Sequence, residues 1–152
     1  MTTKKPKTAK DRAAELLATR DHSEAELRAK LSRYYEYSEV EDAIEYVQAN
    51  NFMLPATELS DRVAATLGAK KKASAYINEY LKAKGLPPVA VSREEEIQKA
   101  RELLDSKLAH GASLDYEEEK KFYRLLANRG FDEEIIEEVV RQVRQVHGPR
   151  AE

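Results

Sequence analysis

The sequence predicts an all-α protein, three tandem three-helix (helix-turn-helix-like) repeats in an elongated, curved array. Three observations predict it. Charged residues make up 36% of the 152 and aromatics 7%, with no tryptophan. That composition is lean for one compact core but suits helices that each bury a single stripe. Gly and Pro number only five each, so the breakers of regular helix are scarce. Apolar residues also recur at three- and four-residue spacing along the whole chain, and no segment alternates with period two for long enough to make a strand.

Ala13, Leu16 and Leu17 give the first stripe, Leu27, Leu31 and Tyr34 the second, and Val40, Ala43, Ile44 and Val47 the third. Leu59, Val63 and Leu67 follow, then Ile77, Tyr80, Leu81 and the apolar stem of Lys84. Beyond Pro87 and Pro88 come Ile97, Ala100, Leu104 and Leu108, then Tyr116, Tyr123 and Leu126, and last Ile136, Val139, Val140 and Val143. Ser23, Ser38 and Ser92 each stand three residues before a glutamate (Glu26, Glu41 and Glu95), the spacing of a capping box. Asp115 and Asp132 open later helices, where a short acceptor satisfies free N–H groups. Arg141 and Arg144 sit near the end of the last helix, where the dipole favours cations. Gly85 and Gly130 fall where a closing residue of positive φ is wanted.

An internal echo groups these helices. Ile77-x-x-Tyr80-Leu81-x-x-Lys84-Gly85-Leu86 is matched about 45 positions later by Phe122-x-x-Leu125-Leu126-x-x-Arg129-Gly130-Phe131. The expected layout is a basic tail without fixed structure at 1–10, repeats at 11–54, 55–92 and 93–147, and a second such tail at 148–152. Three repeats of three imply nine helices. The third helix of the middle repeat is squeezed between Gly85 and the capping box at Ser92, so a single turn, or fusion to its successor, is expected there.

The residues do not assemble into reaction chemistry. His22, His110 and His147 lie far apart, each in a turn or at a helix end, and form no i, i+4 metal pair. As turn residues they are expected to be solvated or to act as helix-end cations. Asp21-His22-Ser23 cannot make a triad, because consecutive side chains point in different directions. No glycine-rich phosphate loop is present, and the acid runs at 94–96, 117–119, 133–134 and 137–138 are expected to be solvated faces and helix-end charges. A non-enzyme without metal or cofactor is expected. The absence of cysteine fits a reducing compartment. No apolar run approaches the ~20 residues of a membrane span, and the N-terminal lysines have no apolar stretch behind them. Together these features predict a cytoplasmic protein.

Binding is the remaining reading. The net charge of −2 advertises no global affinity for nucleic acid, but cations crowd each repeat's second helix. Arg20, Arg28, Lys30 and Arg33 do so in the first repeat. Lys70, Lys71, Lys72, Lys82 and Lys84 do so in the second, and Lys120, Lys121, Arg124 and Arg129 in the third. These are the candidate partner- or DNA-binding residues, with ordinary ion pairing along the helices as the alternative. Tyr34, Tyr35, Tyr37, Tyr46, Tyr76 and Tyr80 are candidates either for interface anchors or for the rim of the core.

Three segments carry a resemblance. Leu16-Leu17-Ala18-Thr19-Arg20-Asp21-His22-Ser23-x-x-Glu26-Leu27-x-x-Lys30-Leu31 is similar to the opening of the RecX family. Leu81-Lys82-Ala83-Lys84-Gly85-Leu86 resembles that family's middle turn, and Leu125-Leu126-Ala127-Asn128-Arg129-Gly130-Phe131 its late turn. The likeness runs from about residue 11 to 146 in the family's order. The chain departs from it at Asn51-Phe52-Met53-Leu54-Pro55-Ala56-Thr57, which lacks the family's acidic pair. A monomer is expected, and the resemblance implies three tandem three-helix repeats and a regulator that binds the RecA recombinase filament. Such a regulator would restrain the filament's activity in recombination and the SOS response; from the charge alone, at most weak non-specific binding to single- or double-stranded DNA is expected. The alternatives are a non-specific DNA-binding helical module and a helical scaffold for another protein.

Overall fold

A computed structural model of the chain describes residues 7–109 and 114–147, the side chain of residue 147 excepted. Among them are eight helices and no strand: α1 (Ala9–Thr19), α2 (Glu24–Leu31), α3 (Tyr37–Ala49), α4 (Ala56–Ala69), α5 (Ser74–Ala83), α6 (Arg93–Ala109), α7 (Tyr116–Asn128) and α8 (Glu133–His147). Two compact units divide them. Of the described residues, one holds those up to Arg62 together with Leu81–Pro87; the other holds Val63–Tyr80 and those from Pro88 onward.

In the first unit α1 starts at Ala9, two residues inside the stretch expected as tail, because Thr8 caps it by accepting from the Asp11 amide at 3.1 Å. Ala9, Ala13 and Ala43 are buried, and their small side chains suit the packing of α1 on α3. Leu27, Leu31, Val40, Ile44 and Val47 fill the rest of this core, each worth about 1.5–3 kcal/mol of transfer free energy when fully buried. Ser23 forms the expected capping box with Glu26 in both directions. Ser38 does not: α3 begins at Tyr37 with Glu36 in the cap position, so Ser38 already lies in the first turn. Glu41 instead receives Arg28, at 2.8 Å from Nε and 3.2 Å from Nη2. Tyr34 also leaves the stripe assigned to it, being 79% exposed, because α2 has ended at Leu31 and the helical period no longer applies.

In the second unit Ala100 and Leu104 of α6, Phe122 and Leu126 of α7, and Ile136, Val139, Val140 and Val143 of α8 make one core with Ala73, Leu114 and Phe131. Phe122, rather than Tyr116, supplies the large ring of the α7 stripe, and Tyr116 is 70% exposed. Asp115 caps α7, accepting from the Glu118 amide at 2.9 Å. The expected helix between Gly85 and Ser92 does not form: residues 84–92 are turn and extended chain. Pro87 and Pro88 remove two amide donors and hold their predecessors extended. Asn78 satisfies this backbone instead, donating to the Val89 carbonyl at 3.1 Å and accepting from its amide at 2.9 Å.

Four helices close in the same way. After α5 the Leu86 amide reaches the Leu81 carbonyl at 2.8 Å and the Gly85 amide that of Lys82 at 3.0 Å, the double bond of a Schellman motif. The same pair of bonds follows α3, α4 and α7, with positive φ at Asn51, Lys71 and Gly130. The tail residues 1–6 and 148–152, and His110, lie outside the described residues.

Candidate functional site

The α4–α5 turn gathers cations from three parts of the second unit. Its residues, Lys70 to Ala73, follow the end of α4, and the carbonyls of Lys70 and Lys72 accept from side chains of other elements. Arg129, just past α7, donates from Nη1 to the Lys70 carbonyl at 2.7 Å, and its own carbonyl accepts from the Ala73 amide at 3.1 Å. Lys99 of α6 donates to the Lys72 carbonyl at 2.8 Å. The Lys72 ammonium lies 4.6 Å from the centre of the Tyr76 ring, an exposed cation–π contact. Lys71 reaches Glu102, and this ammonium, with Gln98 beside it, holds the Glu102 carboxyl below its usual value. The helix-end dipole of α4 favours positive charge here. Lys70, Lys71, Lys72 and Arg129 thus stand beside Glu102, a positive excess on one surface of the unit, while Lys99 pairs with Glu96 in its largely buried part.

The other candidates are spread more widely. Lys120 and Arg124 line a cleft of about 640 Å³ with Tyr116, Tyr123 and Arg144. Within it Lys120 lies 4.3 Å from the Tyr116 ring centre and Arg144 pairs with Glu119. Burial and the nearby Glu137 raise the Tyr123 hydroxyl above its ordinary value. Lys121 pairs with Glu118 at 3.2 Å. In the first unit Arg20 and Lys84 converge on Glu26, at 3.1 and 3.5 Å. Arg28 is occupied by Glu41, and Lys30 points at His22. Arg33 and Lys82 are exposed on the surface.

Two residues read as solvated are buried. Glu96, from the acidic run, is only 6% exposed. Its Oε1 accepts from the Ser74 amide at 2.6 Å, capping α5 from outside, and Lys99 stands 3.4 Å away. The run placed three acids on successive faces of α6, and one of the three had to turn inward. His22 is 2% exposed, shut in by the close packing of the α1–α2 joint, and is no solvated turn residue. Lys99, the cation the sequence reading missed, carried one signal: it stands a helical turn after Glu96 on the inward face. No three His, Asp or Glu side chains that could hold a metal are brought together among the described residues. No described helix is long and apolar enough to cross a membrane.

These features define a helical-repeat protein of three-helix modules. Residues 9–46 match the family model of the first three-helix domain of RecX, and residues 94–140 that of the third. "Regulatory protein RecX" of Leptothrix cholodnii is 30% identical over 145 residues, 91% of this chain and 90% of that protein. The protein of the same name from Herminiimonas arsenicoxydans is 32% identical over 137 residues, 87% of this chain and 90% of its own. The crystal structure of RecX from Lactobacillus salivarius superposes with a TM-score of 0.72 at 15% identity, covering 90% of this chain and 95% of that one. A second crystal structure of a regulatory protein RecX gives 0.66 at 16% identity, covering 88% and 70%. The chain belongs to the RecX family of regulatory proteins.

Proposed function

We propose that this protein binds the RecA recombinase filament and restrains its activity in recombination and the SOS response, acting by binding and catalysing nothing itself. Family membership supports the choice of target. The observation that carries the reading on this chain is the convergence of Lys70, Lys72 and Arg129 on one turn, held by reciprocal hydrogen bonds. A filament on DNA offers both acidic protein surface and phosphate, and fixed cations lose little entropy on meeting either. Weak contacts from separate repeats add through their tether, so no single module needs high affinity. The test is the host's RecA: added at stoichiometric excess, the purified protein slows DNA-dependent ATP hydrolysis and strand exchange. An unchanged rate overturns the proposal.

A second reading, direct non-specific DNA binding, is favoured by the same turn. It predicts affinity for bare DNA that falls steeply with salt. Pull-down from host lysate separates both readings from a helical scaffold: recovery of RecA supports the regulator, and recovery of a different protein alone supports the scaffold.

A further inference from the structure

His22 sits in the α1–α2 joint, 2% exposed, with both ring nitrogens engaged. Nδ1 lies 3.0 Å from the Arg20 carbonyl oxygen and Nε2 lies 3.0 Å from the Lys30 ammonium. A carbonyl can only accept, so Nδ1 carries the hydrogen, and Nε2 must then be the lone pair that accepts from Lys30. This arrangement requires a neutral imidazole. A proton on Nε2 would turn an acceptor into a donor facing an ammonium.

The carboxylates near that proton are already paired with other groups. From α2, Glu26 already receives the Ser23 amide at 3.3 Å, Arg20 at 3.1 Å and Lys84 at 3.5 Å. Glu24 is held by Gln48 at 3.0 Å and Arg28 at 3.7 Å, and Asp21 faces Arg62 of α4 at 3.6 Å. Withdrawing Lys30 alone would leave a buried N–H without an acceptor. Rotating the ring out to water relieves both problems, and it moves the residue next to Ser23. That serine accepts from the Glu26 amide at 3.0 Å and donates to the Lys84 carbonyl at 2.5 Å, which seats the end of α5 against the start of α2.

We propose that His22 is an acid-released latch, whose protonation expels the Lys30 contact and frees the Lys84–Leu86 turn from the N-terminus of α2. Burial, with the Arg20 and Lys30 charges, holds the imidazole pKa below 6.5 despite the Arg20 carbonyl and Glu26. The latch is therefore shut near neutrality and opens on acidification.

The experiment is an NMR titration of the full chain, following the imidazole ring and the Ser23, Gly85 and Leu86 amides, with the Val139 amide as a control. The expected result is one shared midpoint below 6.5 for the ring and the three amides, with Val139 unmoved. Exchange of the Leu86 amide should quicken roughly tenfold for each unit by which the midpoint lies under that value. In His22→Gln, which keeps a donor and an acceptor but cannot titrate, the transition disappears. A midpoint at or above 6.5, a ring titration that leaves Gly85 and Leu86 still, or a transition in which Val139 takes part overturns the latch. Should the glutamine variant fail to fold, Lys30→Met decides: its His22 midpoint rises if the ammonium opposes the proton, and an unchanged midpoint refutes it.

Discussion

Arg129 and Lys70 are 59 positions apart in sequence, yet the guanidinium of one donates to the carbonyl of the other at 2.7 Å. The bond spends one of five N–H donors and leaves the others free to meet an anion. Arg129→Lys keeps the charge and loses the planar fork. It should cost about 1 kcal/mol in urea unfolding and leave the salt dependence of DNA binding unchanged. Arg129→Ala should cost as much and also lower the slope of log affinity against log salt by about one. Equal slopes for the two variants would remove Arg129 from the interface.

Replacing Lys70, Lys71 and Lys72 together by glutamate reverses the charge of the turn without touching a core residue. Binding to bare DNA should be abolished at physiological salt, while the helical circular dichroism is retained. A binding titration checks this, and unchanged affinity would show that the turn contacts no phosphate.

Gly85 sits at φ 72°, and a Cβ built on it would stand 2.6 Å from the Cβ of Ala25. Gly85→Ala should therefore lose about 2 kcal/mol or more, combining left-handed backbone strain with a clash between two rigid methyl groups. In the background of Ala25→Gly the clash term vanishes and only the strain remains, so the two substitutions should be non-additive. Denaturation of the double-mutant cycle measures the difference.

Acid should weaken the first unit in two stages. His22 has its pKa lowered below 6.5 in the folded chain, so the unfolded chain binds its proton first. Its contribution is complete above pH 6.5 and declines as pH falls towards the folded value. Glu26 is raised by burial but lowered further by the Ser23 amide, Arg20 and Lys84, with a net value below 4.5. Its contribution is present above pH 4.5 and is lost as pH drops through the folded pKa. Urea midpoints measured across this range should fall in both windows, and Glu26→Gln should shrink the lower one without abolishing it, because Lys7 and Arg28 also hold the Glu15 and Glu41 carboxyls below 4.5.

The sequence made the helices legible because their stripes repeat every three to four residues and their ends carry short acceptors or glycine. Leu27 with Leu31, and Val40 with Ile44, are buried as their spacing implied. Local pattern failed where a tertiary partner outbid it. Ser38 had the spacing of a cap, but Glu41 went to Arg28, thirteen residues back, and α3 began earlier. Asn78 gave no hint that it would take over the backbone bonds of Val89. The site was half visible: the lysine run at 70–72 was plain, but its joining to Lys99 and Arg129 depends on how α6 and α7 pack, which no local pattern encodes.

The Asn78–Val89 pairing has a practical consequence for anyone altering this chain. One carboxamide fixes the path of the chain at Val89, and Ser60 donates to the Pro87 carbonyl at 2.7 Å, so this ladderless segment is held by side-chain bonds rather than by a helix. Loop closure cost grows only slowly with length. Extra residues inserted at Ala90 or Val91 should therefore be absorbed without unseating α6, which makes this segment the natural place for a tag, a fluorophore or a protease site.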